Sequence, residues 1–91
     1  MVERQIKVVN LLGLHARAAA RFVRTASRFR SKITVTKEGT TIDGKSILGI
    51  LFLAASAGSE LTISASGEDE KEALDALTTM VADGLGEETL A

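Results

Sequence analysis

The chain holds one histidine, His15, and it stands directly before an Arg- and Ala-rich stretch, Ala16-Arg17-Ala18-Ala19-Ala20-Arg21, that follows a turn at Gly13. With a helix starting near Ala16, the unbonded N–H groups of its first turn point back toward the imidazole and carry the positive end of the macrodipole. A helix start of this kind is an anion site. Arg17, Arg21, Arg24 and Arg28 are spaced 4, 3 and 4 and share a narrow arc, with Ala19, Phe22, Val23 and Ala26 on the opposite side. An imidazole beside guanidinium groups and helix N–H donors can accept a phosphoryl group on one ring nitrogen, its anionic oxygens met by charge-assisted bonds. The plainer reading of the same residues is a histidine that caps a helix, and position alone favours that one.

A second stretch carries a hydroxyl. Ser46 precedes the apolar run 47–54 and is the natural N-cap of a two-turn helix. Ile47, Leu48, Ile50, Leu51, Phe52 and Leu53 go almost all the way round such a helix, and a short surface helix cannot bury every side. Ile47, Leu48, Leu51 and Phe52 are therefore expected to form an exposed apolar patch, the usual mark of a partner site; a wholly buried strand or core helix is the competing reading.

The elements that would position these groups follow from periodicity. Gln5 to Val9 alternates with Ile6 and Val8 on one face, Lys32 to Lys37 alternates again, and Thr40 to Asp43 returns after a Glu38-Gly39 turn. Leu11, Leu12 and Leu14 cluster around Gly13, some to close the core and one or two to stay exposed beside His15. The first helix is expected over 16–27. Leu61 to Ser66 reads as a fourth strand. A last helix follows, with Glu68, Asp69 and Glu70 in its first turn, Leu74, Leu77 and Val81 at helical spacing, and Gly84 as its stop. The order β-α-β-β-α-β-α, with four strands, predicts an α+β domain in which one sheet is covered on one face by helices.

Composition sets limits. In 91 residues, 11 basic and 12 acidic side chains nearly cancel, so the domain as a whole is no polyanion binder, although most basic residues come before Lys45. With no cysteine there is neither a disulfide framework nor a thiolate metal site, and one histidine without converging carboxylates makes a metal centre unexpected. The opening residues lack the apolar run of a signal peptide and 47–55 is too short to span a bilayer, which makes the cytoplasm the simplest expectation. A nucleic-acid-binding module using the Arg stripe is the alternative function; the absence of Tyr and Trp and the near-neutral charge speak against it.

Two segments resemble a known family. Gly13-Leu14-His15-Ala16-Arg17-Ala18-Ala19 is similar to the active-site segment of the HPr family, the histidine phosphocarriers of the bacterial phosphotransferase system. Gly44-Lys45-Ser46-Ile47-Leu48-Gly49-Ile50-Leu51 is similar to that family's serine-helix segment, and the likeness runs from about residue 2 to residue 86. Ala18 stands where many members have proline, a change that leaves a normal helix start. The Ala-Ala-Ala run and the lack of Tyr and Trp look more like the nitrogen-regulatory (NPr-like) branch than the sugar branch.

The resemblance implies an open-faced β-sandwich with an antiparallel sheet, one domain over 1–86 and a frayed tail at 87–91. It further implies a carrier rather than a stand-alone catalyst, in sugar uptake or nitrogen-related regulation, that works as a monomer without a cofactor. His15 would accept the phosphoryl group through Nδ1 from enzyme I and pass it to an EIIA-type domain. Arg17 would steady that group, with the amides of Ala16 and Arg17 as backbone donors. Ala20, Arg21 and Arg24, with Ile47, Leu48, Leu51 and Phe52, would meet the partners. Ser46 would be a regulatory site where a dedicated serine kinase and phosphorylase exist. A purely regulatory relative is expected to replace His15, and this chain keeps it.

Overall fold

A computed structural model describes residues 1–90. Its elements are β1 (Val2–Lys7), α1 (Ala16–Ala26), β2 (Lys32–Lys37), β3 (Thr40–Asp43), α2 (Ile47–Leu53), β4 (Glu60–Ser66) and α3 (Glu70–Ala82), in the order expected from the sequence. The strands form one antiparallel sheet in the order β1-β4-β2-β3, so β4 lies between β1 and β2.

Alternation decides the two faces of that sheet. Ile33 and Val35 of β2 and Leu61, Ile63 and Ala65 of β4 are buried under the helices, against Phe22, Ile50, Leu77 and Val81. The opposite face is open and carries hydroxyls: Thr34 bonds Ser64 across the β2–β4 pair, and Thr36 bonds Thr41 at 2.7 Å across the hairpin. The result is an α+β, open-faced β-sandwich. The hairpin turn has Glu38 and Gly39 both at positive φ, +47° and +83°, the backbone of the tight turn whose twist matches the strands it joins.

Each helix end has a chemical cause. α3 stops in a complete Schellman motif: the Gly84 N–H donates to Val81 O and the Leu85 N–H to Met80 O, with Gly84 at φ +81° and Leu85 buried against the core. At its start, α3 begins at Glu70, and of the expected acids Asp69 is spent elsewhere. Its carboxylate accepts from the Arg30 N–H, the Ser31 N–H and the Ser31 hydroxyl, tying the α1–β2 loop to the head of α3. These bonds, the Ser31 hydroxyl first, lower the Asp69 pKa from 3.8 to about 2.

The frayed tail is corrected within the described residues. The Leu11 N–H donates to Glu88 O at 2.9 Å, the Leu90 N–H donates to Val9 O at 2.7 Å, and Asn10 pairs with Thr89. Residues 87–90 thus form a strap along 9–11, satisfying backbone groups that would otherwise lack partners. Residue 91 lies outside the described residues.

Candidate functional site

The loop between β1 and α1 is held from both sides. Gly13 sits at φ +65° with its α-carbon so close to the α2–β4 loop that an added Cβ would lie 2.4 Å from Ala55 O. The Leu14 N–H donates to that same Ala55 carbonyl at 2.8 Å. On the other side Asn10, fully buried, donates from Nδ2 to Gly13 O at 2.7 Å. Leu14 is buried, while Leu11 and Leu12 are exposed, so the loop drives one leucine into the core and leaves two outside.

His15 follows as the N-cap of α1, at φ −71° and ψ 177°, its carbonyl accepting from the Ala19 N–H. The imidazole is bonded on both nitrogens. Nδ1 accepts from the Arg17 N–H at 3.3 Å, so the ring takes the place of a capping hydroxyl. Nε2 lies 2.6 Å from Glu87 Oε2. The other oxygen of Glu87 accepts from Asn10 Nδ2 at 2.9 Å, and Arg21 Nη1 stands 3.7 Å from Oε2. The Glu87 side chain is only 13% exposed and that of His15 29%. The Asn10 amide above all, then the hydrogen bond from the His15 ring and the nearby Arg21 charge, hold the Glu87 carboxyl below its ordinary value, against the opposing effect of partial burial.

The arrangement is chemically directional. A carboxylate can only accept, so Nε2 carries the proton and Nδ1 is left with its lone pair. The Arg17 amide, itself a donor, fits that tautomer and no other neutral one.

The remaining predicted residues divide into two sets. The side chains of Arg17 and Arg24 are exposed at the head and along α1, with Ala16 exposed and Ala20 half-buried. Arg21 departs from the solvated stripe: its Nη1 donates to Leu85 O at 2.7 Å and pins α1 to the turn after α3. α2 packs beside α1 and is capped by Ser46, whose Oγ accepts from the Gly49 N–H at 3.1 Å. Leu48 and Phe52, 76% and 74% exposed, stand one turn apart on the outside of α2, and Ile47 is exposed at its start. Leu51 is corrected: it is half-buried and packs against the core, because the turn of α2 aims it inward with Ile50 and Leu53. Among the described residues no cluster of His, Cys, Asp or Glu could hold a metal ion.

Glu87 and Asn10 escaped the sequence reading. The available signal was the Gly84-Leu85-Gly86 run, which turns the chain back after α3: both glycines have positive φ, and Gly84 lies so close under the strap that a Cβ there would meet Thr89 at 2.2 Å.

Comparison with known proteins places this geometry. A family model described as PTS HPr component phosphorylation site matches residues 2–83. The phosphocarrier protein HPr of Cupriavidus necator is 42% identical over 87 residues, covering 96% of this chain and 98% of the relative. The crystal structure of HPr-C-His from Thermoanaerobacter tengcongensis superposes with a TM-score of 0.93 at 46% identity, covering 97% of this chain and 99% of that one. A structure described as an HPr dimer from the same organism gives a TM-score of 0.77 at 46% identity, covering 96% and 100%.

Proposed function

The chain belongs to the HPr family of the phosphotransferase system, and from that premise we propose that its relay runs through Nδ1 of His15. As a member it is a phosphocarrier, a component of a phosphoryl relay rather than a stand-alone enzyme. The proposed donor is enzyme I and the proposed acceptor an EIIA-type domain. The observation that carries the reading is the place of His15: a protonated Nε2 leaves an Nδ1 lone pair at the N-terminus of an eleven-residue helix.

In this reading the phosphoryl oxygens meet the amides of Ala16 and Arg17 and the guanidinium of Arg17. The Arg17 amide is freed from Nδ1 at the moment that nitrogen bonds phosphorus. Such donors steady an anion by charge-assisted bonds and the helix dipole. Leu11, Leu12, Ile47, Leu48 and Phe52, with Ala20 and Arg24 beside them, form the docking surface, Leu51 supports it from beneath, and Ser46 is the place where a phosphate would oppose an acidic partner. We place the protein in the cytoplasm and take one copy as the working unit; no helix of the described residues is long and apolar enough to cross a membrane. Sedimentation decides the copy number, and a stable dimer would replace that part of the reading.

The relay is tested with enzyme I and phosphoenolpyruvate. Wild-type protein should gain one acid-labile, base-stable phosphate and His15→Ala none. Normal labelling of His15→Ala would refute the assignment.

A further inference from the structure

We propose that Glu87 is a positioning residue for phosphoryl transfer, fixing the His15 imidazole as the Nε2–H tautomer and offsetting the charge that the ring gains when Nδ1 is phosphorylated. The proposal rests on the reading that His15 bears the phosphoryl group. Glu87 lies beyond residue 83, where the family match ends, on the strap that runs along 9–11.

Three observations converge. The Nε2 to Oε2 distance of 2.6 Å is that of a charge-assisted bond. The carboxylate is itself oriented, because its second oxygen is held by Asn10, which is fully buried and also grips the Gly13 carbonyl at the head of the loop. The strap is anchored independently by the backbone bonds of Leu11 to Glu88 and of Leu90 to Val9, so Glu87 is delivered to the ring by main chain. A base whose ring is oriented by a carboxylate that is oriented in turn is the arrangement by which other histidines are kept in one tautomer.

The chemistry balances without any further reactant beyond a phosphorylated donor protein and an acceptor protein. The Nδ1 lone pair forms the N–P bond as the bond between phosphorus and the donor breaks, and that electron pair leaves with the donor. The Nε2 proton is neither gained nor lost. The phosphorylated ring is then cationic, and the Glu87 carboxylate lies against the N–H that shares that charge. When the acceptor attacks phosphorus, the N–P electron pair returns to Nδ1 and the ring leaves as neutral imidazole, again with its proton on Nε2. Without Glu87 the ring can hold its proton on Nδ1, the nitrogen that must be free.

Glu87→Gln tests this, with Glu88→Gln as a control because the neighbouring Glu88 side chain is exposed. The imidazole ¹⁵N shifts of unphosphorylated protein report the tautomer, and quench-flow with phosphorylated enzyme I reports transfer. Wild-type and Glu88→Gln proteins should show Nε2–H alone and equal rates. Glu87→Gln should show a mixture of tautomers and transfer roughly 10- to 100-fold more slowly, the range found when the outer carboxylate partner of a metal-ligating histidine is removed. An unchanged tautomer in Glu87→Gln overturns the proposal, with or without a slower rate, and so does a mixed tautomer at the wild-type rate. Failure of the relay itself shows separately, as a wild-type protein that takes up no phosphate on His15 while its tautomer is still measurable.

Discussion

Ser46 caps α2 and is the place proposed for a phosphate that opposes docking, and substitution can separate the two. Its Oγ accepts the Gly49 N–H at 3.1 Å, and its carbonyl accepts from Ile50 at 3.0 Å to start α2. Ser46→Ala removes the first bond and leaves an N–H with no side-chain acceptor, a loss worth about 0.5–2 kcal/mol and typically near 1. For a domain of this size each kcal/mol moves Tm by roughly 4–8 °C, so the melting temperature should fall by about that amount. Ser46→Asp keeps an acceptor in place and adds a charge that the helix start favours by roughly 0.3–1 kcal/mol, opposed by Asp43 three residues earlier. Its Tm should therefore stay near wild type. Docking should respond in the opposite order. Ser46→Ala, assayed below its melting range, should accept phosphate from enzyme I at the wild-type rate. Ser46→Asp should accept it more slowly in low salt and recover as salt rises, because surface charges are screened over about 8–10 Å at physiological ionic strength. The paired assays are thermal melts by circular dichroism and quench-flow transfer at two salt concentrations. An unchanged Tm for Ser46→Ala would refute the cap energetics. A well-folded Ser46→Asp protein transferring at full rate in low salt would reduce Ser46 to a helix cap.

Other outcomes follow from the geometry. Phe52→Asp changes a side chain that is 74% exposed, so urea titration should find its stability within about 0.5 kcal/mol of wild type while affinity for enzyme I falls; an unfolded variant would make Phe52 a core residue. Gly13→Ala must adopt φ +65° and place a Cβ against the Ala55 carbonyl, so denaturant titration should show a loss of at least about 2 kcal/mol, and a wild-type midpoint would contradict the close approach. Asp69 has a folded pKa depressed from 3.8 to about 2, so its contribution is full above the higher value and is lost as pH falls through the lower one. Asp69→Asn should therefore be less stable than wild type at neutral pH, and the two curves should converge between pH 4 and pH 2; parallel curves would mean that the Ser31 and Arg30 bonds do not discriminate the charged form.

What the sequence discloses and what it conceals divide along separation in the chain. The hairpin, the caps at His15 and Ser46 and the stop at Gly84 are local events, each decided by residues within one or two turns, and each is legible from pattern. The insertion of β4 between β1 and β2 leaves no local trace, because an alternating strand pairs equally well with any complementary edge. Leu51 departs from its expected exposure for a related reason: a seven-residue helix apolar nearly all round has no moment to say which side meets the core. Glu87 is the extreme case. A polar pair after a helix stop reads as solvated tail, and only the folded chain brings it to a ring 72 positions earlier. Arg21 likewise kept its place on the predicted arc but found a carbonyl there.

Early and late segments of this molecule meet in the fold, so its assembly depends on contacts distant in sequence. β1 is made first, yet its neighbour in the sheet is β4, where Val2 faces Ala65. Segment 9–11 needs residues 88–90, which are synthesised later still. The entropy of closing such long loops has to be met before their contacts repay it, which sets folding of this topology on the slower, non-local path.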